Sequence, residues 1–481
     1  MKRKFAVPLY CGTTPQEASK PQSLTNAQYP NRNEEKLRMK RATVFTAVAL
    51  LILGTAISTP AQEEPSLAHK GRVVIPESAI ERPEDVGIRA HTPYQIFVPA
   101  DRMKFGAEPN GYALPEAALM TPSGPPFPGY AFETPASIAC LYHLVTPATG
   151  CNPNTFKTNP SGGSKAVGIV DAYDYPTAMA DLNAFSAQFG LPAVTSTTFK
   201  VIFAGGTGGC AGSDPGNDPG WEGEQALDID WAHAMAPKAK IFLVEAASSS
   251  FTDLLVAEDC ASKLVAAAGG GEISNSWGGS EFSGETTDDS HFKKTGIVYF
   301  ASTGDSAGTE YPSVSTNVVA VGGTTTSRVN AGTTFGNFIG EAAWENGGGG
   351  LSVYEPRPSY QSVLPTATHR LVPDVSSDAN PNTGVWVYDN NPANGCCWFV
   401  FGGTSVASPS WAGIVNAAGH FAASSSAELT TIYNAYASST NYPADYNDIS
   451  YGLCGFYDGN IASTKWDPCT GVGSPKGYVG K

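Results

Sequence analysis

The stretch Phe401-Gly-Gly-Thr-Ser405-Val-Ala-Ser-Pro409 surrounds one serine with small residues, which leave its hydroxyl uncrowded. The residues that follow, 411–423, are alanine-rich and carry apolar side chains at helical spacing. We therefore expect a buried helix with Ser405 at its mouth, where free N–H groups favour a nearby anion. A nucleophilic serine and an N-cap serine on a core helix both fit this stretch. The presence or absence of a base elsewhere in the chain distinguishes them.

Upstream of this stretch, short apolar runs alternate with amphipathic stretches. Continuous apolar runs of this kind predict an α/β fold, with a mostly parallel sheet buried by helices on both faces. Ligands of such sheets bind beyond the carboxyl ends of the strands, so residues just after strands are functional candidates. Strands are predicted at 165–171, 199–203, 240–245, 273–276 and 296–301, and helices at 176–190, 222–235 and 252–268.

The composition limits the partners and the compartment. In 481 residues, 29 Lys and Arg against 44 Asp and Glu give a net charge of −15, which disfavours nucleic acid and anionic membranes as partners. From Met39, basic residues precede a short apolar run and a small-residue cleavage site, the pattern of a secretory signal. An uncleaved anchor is the alternative. We assign 1–62 to targeting, 63–130 to a short preceding region and linker, and 131–481 to the main domain.

The cysteine content agrees with export. Outside the targeting region the number of cysteines is even, which favours disulfides in a secreted chain, although their pairing cannot be read from the sequence. Buried free thiols are the alternative, and no pair has the spacing of zinc ligands. The eight cysteines are Cys140, Cys151, Cys210, Cys260, Cys396, Cys397, Cys454 and Cys469.

Carboxylates are better candidates than histidines for the base. None of the seven histidines has the glycine-flanked context of a catalytic histidine, and His233 lies in an apolar helical stretch that suggests a core position. Glu224 and Asp228, in contrast, are four residues apart and share one helix face. Two carboxylates side by side on a mostly apolar helix repel unless they share a proton. Glu224 would then accept the Ser405 proton while Asp228 supports it; solvated acids in a first helical turn are the alternative.

Asp305 follows the predicted strand 296–301 in a glycine-flanked turn. An oxyanion hole needs a hydrogen-bond donor, and an ionised aspartate cannot donate. Asp305 would therefore have to be protonated, through burial or low pH. A polar turn residue is the alternative interpretation.

Taken together, the Ser405 segment, the Glu224-x-x-x-Asp228 spacing and Thr303-Gly-Asp305-Ser resemble the catalytic segments of the sedolisin family, the serine-carboxyl peptidases with a subtilisin-like fold. The similarity runs from about residue 134 to the end of the chain. It implies a three-layer subtilisin-like architecture. By resemblance, Ser405 is the nucleophile, Glu224 the base, Asp228 its partner and Asp305 the oxyanion donor.

The resemblance also implies binding residues. The strand that ends at Ser276, Trp277, Gly278 and Gly279 would line the substrate, and the glycines at 347–350 would help to hold the peptide as an added strand. A single calcium ion would be bound near the end of the chain by two carboxylates and three backbone carbonyls. These calcium ligands would be Asp448, Ile449, Ser463, Lys465 and Asp467; relatives usually carry glycine where Ser463 and Lys465 stand.

Two departures from the family pattern qualify this prediction. Family members carry a long folded propeptide, whereas 63–130 is short. Tyr175 stands where the family often places a glutamate that extends the carboxylate network, so the network is either shorter or extended by Asp171 or Asp174.

The sequence therefore predicts a secreted, monomeric, acid-acting endopeptidase for peptide or protein substrates, with no membrane association after signal cleavage. The alternative is a secreted binding or surface protein that has the fold of the same family but is catalytically inactive.

Overall fold

The computed structural model describes residues 71–100, 124–127, 129–390, 397–455 and 460–481. The predicted signal sequence lies outside these ranges. The helices are α1 Pro135–Leu141, α2 Ala178–Phe189, α3 Pro219–Met235, α4 Phe251–Ala267, α5 Thr404–Ala418, α6 Ser425–Ala437 and α7 Tyr442–Asp445. The strands are β1 Gly71–Val74, β2 Gln95–Pro99, β3 Ala166–Ala172, β4 Phe199–Phe203, β5 Lys240–Ala246, β6 Gly271–Asn275, β7 Gly279–Ser280, β8 Ile297–Ser302, β9 Glu310–Tyr311, β10 Val319–Arg328, β11 Phe338–Ala343, β12 Gly350–Pro356, β13 His369–Val372, β14 Val375–Asp378, β15 Val385–Asp389, β16 Cys397–Gly402, β17 Tyr446–Asn447, β18 Leu453–Cys454, β19 Asn460–Ile461 and β20 Ser474–Pro475.

The central sheet has eight strands, in the order β11-β10-β8-β6-β3-β5-β4, with β14 beside β10. Every pair is parallel except β10 with β11. The five strands predicted upstream of the Ser405 stretch are β3, β4, β5, β6 and β8 of this sheet. In β3, β5, β6 and β8 the apolar character follows from burial on both sides, whereas the edge strand β4 is partly exposed.

Helices cover both faces of the sheet, as predicted. In β3, Val167 and Ile169 pack into the core that contains α3 and α5, whereas Val170 and Ala172 pack into a second core with α4. Successive side chains of a strand point to opposite faces, so one apolar run supplies both cores. The fold is therefore a three-layer α/β architecture.

Helix α5 begins earlier than the sequence pattern indicates. The expected apolar stretch started at 411, but the helix starts at Thr404, so Ser405 lies in its first turn. Pro409 lies inside this helix, where it removes the backbone N–H that would bond the carbonyl of Ser405. The apolar period is visible only from 411, because Pro409 and its small neighbours do not show one.

A second sheet lies next to Ser405 in the chain. Its order is β1-β2-β16-β15, and β16 leads directly into α5. Strand β2 pairs antiparallel with β16 through Ile96 and Phe401, and both residues are buried. Part of the short region that precedes the main domain is thus a strand beside β16, the strand that leads into the helix with Ser405.

Disulfides join six of the predicted cysteines. The pairs are Cys140–Cys151, Cys210–Cys260 and Cys454–Cys469. Free thiols are therefore excluded at these positions. Among the described residues, no helix has the length and apolar character required to cross a membrane.

Candidate active site

Three neighbouring strands bring polar side chains to one edge of the central sheet. Ser276 follows β6, Asp305 follows β8, and Asp171 lies near the end of β3. These strands are adjacent and parallel, so their carboxyl ends meet at the same edge. The sequence prediction that functional residues follow the strands is consistent with this placement.

Close packing of α3 against α5 brings Glu224 towards Ser405. A Cβ on Gly413 of α5 would lie 2.7 Å from Cβ of Met235 and 2.9 Å from the carbonyl oxygen of Ala232, both at the end of α3. Glycine at this position therefore lets the two helices approach closely. The Ser405 hydroxyl is a neighbour of the Glu224 carboxyl group and lowers its pKa, against the stronger effect of burial.

Ser405 is fully buried, and its hydroxyl oxygen has no hydrogen-bond partner in the described part of the chain. Its carbonyl, freed by Pro409, lies 3.5 Å from the Ser276 hydroxyl. The side-chain oxygen of an N-cap serine accepts a hydrogen bond from a backbone N–H of the helix, whereas the Ser405 hydroxyl makes no such bond. The geometry therefore favours the nucleophile interpretation.

Glu224 and Asp228 form a buried pair of acids on α3. Burial, followed by the charges of Asp228 and Asp171, raises the pKa of Glu224 well above its ordinary value. Burial also raises the pKa of Asp228, opposed by hydrogen bonds from Ser276 and Glu224. Ser276 donates to Asp228 Oδ1 at 2.8 Å. Because both groups are desolvated side by side, the pair holds a proton far above the pH at which free carboxyls lose theirs.

Asp171 is the third member of this network. It is fully buried, neither of its oxygens has a hydrogen-bond partner among the described residues, and burial together with Asp228 and Glu245 raises its pKa. Tyr175, which stands where the family glutamate was expected, donates to Asp181 at 2.9 Å. The alternative extension through Asp171 is thus the one that the packing favours. The available signal was an acid at the end of a continuous apolar strand.

Thr404 holds Asp305 in place. The Thr404 N–H and hydroxyl donate to Asp305 Oδ1 at 2.8 Å and 3.0 Å, while Oδ2 is buried without a partner among the described residues. Burial raises the pKa of Asp305 well above its usual range, although the bonds from Thr404 oppose the shift. A protonated Oδ2 is therefore available as a donor. Oδ2 lies 2.6 Å from the point that a Cβ of Gly403 would occupy, next to Ser405.

The four predicted substrate-lining residues have different roles in the structure. Gly278 exchanges two backbone hydrogen bonds with His91, at 2.8 Å and 3.1 Å, as a peptide-binding strand would. Ser276 supports Asp228, Trp277 is buried with its ring 6.1 Å from that of Phe251, and Gly279 pairs with Tyr311 in β7–β9.

The glycines at 347–350 lie against the loop that carries Asp305. Gly348 and Gly349 donate to the carbonyls of Gly304 and Gly308 at 2.9 Å and 2.8 Å. A Cβ on Gly348 would lie 2.2 Å from the carbonyl oxygen of Thr303, so only glycine allows this approach. In this structure these glycines fix the Asp305 turn.

His233 and His91 have contacts with groups other than the Ser405 hydroxyl. His233 Nε2 lies 2.8 Å from the carbonyl oxygen of Pro192, in agreement with the expected core position. His91 Nε2 lies 3.5 Å from Glu310 Oε1. Burial alone would lower the pKa of His91, but Glu310 outweighs it and raises the pKa to about 8.

The predicted calcium ligands come together near the end of the chain. Lys465 N–H donates to both oxygens of Asp448, and Ser463 N–H donates to Asp467. The Thr470 hydroxyl lies 3.4 Å from the carbonyl oxygen of Ile449 and 3.1 Å from Asp467 Oδ2. No group of three or more acidic, histidine or cysteine side chains suited to a metal occurs among the described residues. The hard oxygens of Asp448, Ile449 and Asp467 nevertheless fit calcium, which accepts backbone carbonyls as ligands.

The fold and the site together define a class, the subtilisin-like α/β proteins with a serine at a helix start. In agreement, the profile of the Subtilase family (Peptidase_S8) matches residues 207–437. Sedolisin of Pseudomonas sp. (strain 101) is 28% identical over 382 residues, which cover 68% of this chain and 60% of the relative. Kumamolisin of Bacillus sp. (strain MN-32) is 30% identical over 312 residues, 56% of this chain and 52% of the relative.

A solved structure agrees with these sequence matches. Pseudomonas sedolisin, a serine-carboxyl proteinase complexed with two molecules of pseudo-iodotyrostatin, matches with a TM-score of 0.57 at 27% identity, covering 72% of this chain and 95% of that chain. On these findings the chain is similar to sedolisin-type serine-carboxyl peptidases. It spans 60% of the length of Pseudomonas sedolisin and 52% of that of kumamolisin.

Proposed function

We propose that this protein is a secreted, acid-acting serine-carboxyl endopeptidase. The observation that carries the proposal is the unpartnered Ser405 hydroxyl beside buried acids whose pKa values are all raised. A buried charge without a partner is costly, so such groups keep their protons. A serine with protonated carboxyl groups around it suits chemistry at low pH. Similarity to sedolisin and kumamolisin supports a peptide or protein as substrate.

In the proposed mechanism, the Ser405 hydroxyl oxygen attacks the substrate carbonyl carbon and Glu224 accepts the hydroxyl proton. Asp228, held by Ser276, shares a proton with Glu224 and steadies it. The negative charge that develops on the carbonyl oxygen is stabilised by the Ser405 N–H and the proton on Asp305 Oδ2. Glu224 then protonates the leaving amine, and water hydrolyses the acyl-enzyme ester by the reverse path.

The raised pKa values determine in which direction activity changes with pH. Each acid retains its proton to a higher pH than a free carboxyl group, and the donor role of Asp305 requires that proton. Activity is therefore present in acid and is lost as the pH rises through the range in which Asp305 and the pair release their protons.

The decisive test is active-site labelling at acidic pH. A peptide aldehyde or a fluorophosphonate should modify Ser405 in the wild-type chain, and Ser405→Ala should abolish the modification. Ser410→Ala is a matched control, because the Ser410 hydroxyl bonds only within α5, to the Val406 carbonyl at 2.7 Å. Absence of labelling and of peptide hydrolysis from acidic to neutral pH would favour the alternative, a retired binding protein of the same fold.

Export is supported by the disulfides Cys140–Cys151, Cys210–Cys260 and Cys454–Cys469, because disulfides persist in oxidising compartments. Fractionation of the producing cells tests it: the mature chain should appear in the medium with its targeting region removed. Recovery of the full-length chain inside the cell would contradict secretion.

We further propose one bound calcium ion. Asp448 and Asp467, with the backbone of Ile449, Ser463 and Lys465, would hold it. Calcium would supply a structural cross-link between two loops and no catalytic step. Because a ligand of the native state alone stabilises by about 2.7 kcal/mol at a hundred times its Kd, a chelator should lower Tm, and Asp448→Asn should make Tm insensitive to the chelator. Equal chelator responses in the two chains would contradict the site.

A further inference from the structure

A row of acids leads from the buried pair on α3 to the surface of the protein. Its members, in order from the inside, are Asp171, Glu245, Asp174 and Asp214, and we call them the acid row. Asp171 and Glu245 are fully buried, Asp174 is half-buried and Asp214 is exposed. The row therefore connects the candidate active site with solvent on the side away from the Ser405 hydroxyl.

The first step of the row is fixed by the central sheet. Asp171 of β3 and Glu245 of β5 are register partners in a parallel pair of strands, which lie about 4.8 Å apart. Alternate residues of a strand point to the same face. Ile169 and Leu243, each two residues earlier, pack into the core that contains α3. The Asp171 and Glu245 side chains therefore point together towards the helix that carries Glu224.

The second step takes the row out of the core. The Tyr175 N–H donates to Glu245 Oε1 at 3.0 Å, which holds the turn after β3 over this carboxyl group. Asp174 lies in that turn, and its carboxyl group is a neighbour of Glu245. The Asp174 N–H donates to the Gly216 carbonyl at 2.9 Å, which brings in the loop that carries Asp214. The charge of Asp214 acts on both Asp174 and Glu245.

The inner members have oxygens that no donor satisfies. Neither oxygen of Asp171, nor Oε2 of Glu245, has a hydrogen-bond partner among the described residues. An ionised carboxylate only accepts, so two neighbouring acids can bond each other only through a proton that lies between them. Buried oxygens of this kind, facing other acids, are therefore placed to share protons.

The electrostatics of the row keep protons in it. Burial, followed by the charges of Asp228 and Glu245, raises the pKa of Asp171 well above its ordinary value. Burial, together with Asp174 and Asp214, raises the pKa of Glu245 to about 9, although the bond from Tyr175 opposes the shift. The charges that act most strongly on these two groups thus belong to acids. At acidic pH both carboxyl groups are protonated.

The proposed mechanism needs a route for protons behind the site. In acid, Glu224 begins protonated and must release a proton before it can accept the one on Ser405. Ser405, Glu224 and Asp228 are all fully buried, so a bound peptide would leave water no access to them from the front. A carboxyl group can take a proton on one oxygen and release another from its second oxygen. A row of such groups can therefore pass protons on.

We propose that Asp171, Glu245 and Asp174 carry protons between the Glu224–Asp228 pair and water at the protein surface. This inference rests on the proposed peptidase function. Glu224 gives a proton to Asp171, Asp171 gives its own to Glu245, and Glu245 gives its own to Asp174. Asp174 releases a proton to water, directly or through Asp214. Each member of the row ends protonated as it began, so the net change is one proton moved from the pair to water, and the reverse path restores it.

Glu245 and Asp174 act through Glu224 and do not touch the substrate. Their removal should therefore lower kcat without changing KM. Glu245→Gln keeps the size of the side chain but replaces the carboxyl group with an amide, which does not exchange a proton between two oxygens. We expect kcat to fall by about tenfold, less than the roughly 10²–10⁴-fold that a direct acid or base contributes. Because proton movement then limits the rate, the solvent deuterium isotope effect on kcat should increase.

The test measures kcat and KM for a quenched fluorescent peptide at acidic pH, in water and in D₂O. The chains compared are wild type, Glu245→Gln and the surface variant Asp174→Ala/Asp214→Ala. Formate added at constant pH and ionic strength should restore kcat in the surface variant, since a small acid reaches the vacated surface position. It should not restore Glu245→Gln, where the missing group is in the core. Glu272→Gln is the matched control, because Glu272 is a buried acid near the other end of β6, and its kcat should equal that of wild type.

The possible results separate the two proposals. Unchanged kcat and isotope effects in both variants of an active enzyme overturn the proton path and leave the peptidase proposal standing. A lowered kcat with an unchanged isotope effect and no recovery in formate shows a structural role and also overturns the path. If Glu245→Gln does not fold, the formate response of the surface variant decides. A wild-type chain that neither hydrolyses peptide nor becomes labelled at Ser405 overturns both proposals.

Discussion

Two groups of buried acids in this protein are neutralised in different ways. Glu133 accepts from the buried Arg328 at 2.5 Å and 2.6 Å, and Asp374 accepts from the buried Arg370 at 2.6 Å. At the candidate active site, Glu224 and its neighbouring acids are equally buried, but the charges that raise its pKa belong to other carboxylates. In the first group each acid has an arginine partner, whereas the charges that act on Glu224 come from other acids.

The difference separates structural from chemical use of the same residue type. An acid beside arginine can stay ionised, and its charge fixes loops through several hydrogen bonds. An acid beside other acids must hold a proton, which it can donate, accept or share. Burying several acids together destabilises the fold unless their protons serve a reaction. Acids with perturbed pKa values therefore mark functional sites.

Glu224→Gln should have the largest effect. It removes the base and leaves a neutral side chain of the same size, so kcat should fall by about 10⁴-fold or more while the fold is retained. The measurement is peptide hydrolysis at acidic pH together with the free energy of unfolding. Glu272→Gln is the matched control: Glu272 is buried and accepts from Asn416 at 2.7 Å, and its substitution should leave kcat unchanged. Similar losses in both variants would remove the distinction between the two kinds of acid.

Arg328→Met tests the opposite group. The substitution leaves Glu133 buried and uncompensated, which should cost about 3–5 kcal/mol of unfolding free energy. Denaturant titration measures the loss, and the double variant Arg328→Met/Glu133→Gln should recover much of it, because the unpaired charge is then gone. A single variant as stable as wild type would show that this pair is not needed to neutralise Glu133.

Asp305→Asn should have a smaller catalytic effect than Glu224→Gln. Asparagine keeps a donor at the same place, but a weaker and differently placed one, so a loss of about 10²–10³-fold in kcat at acidic pH is expected. Since the amide does not titrate, the remaining activity should extend to higher pH than in wild type. A pH–kcat profile that is lowered equally at every pH would contradict the proton-dependent role of Asp305.

Much of the fold was predictable, because strands buried on both faces must be apolar throughout. Ser405 and Asp305 could also be selected as candidates from the sequence, since each lies among glycines at the end of an apolar run. The role of Asp171 was left open, because one acid at the end of a strand does not show which neighbours it will face. The path of residues 88–95 could not be predicted: their partners, Gly278 and Gly402, are far away in the sequence, and the segment itself has no periodicity.

The remaining prediction concerns the slope of stability with pH. Burial raises the pKa of Glu272 to about 8 and that of Glu245 to about 9. Below the ordinary carboxyl pKa of about 4.3 both states are protonated and the stability is complete. As the pH rises, the unfolded chain releases protons that the folded chain keeps, so each group lowers stability by up to about 1.4 kcal/mol per pH unit until its folded pKa is passed.

Glu272→Gln isolates one such contribution, because glutamine keeps an acceptor for Asn416 but does not titrate. The unfolding free energy of the variant should fall less steeply than that of wild type between about pH 5 and pH 8, the window between the unfolded value and the folded pKa. Identical slopes in wild type and Glu272→Gln would mean that the buried Glu272 is ionised after all. The contrast between the two groups would then rest on the active site alone.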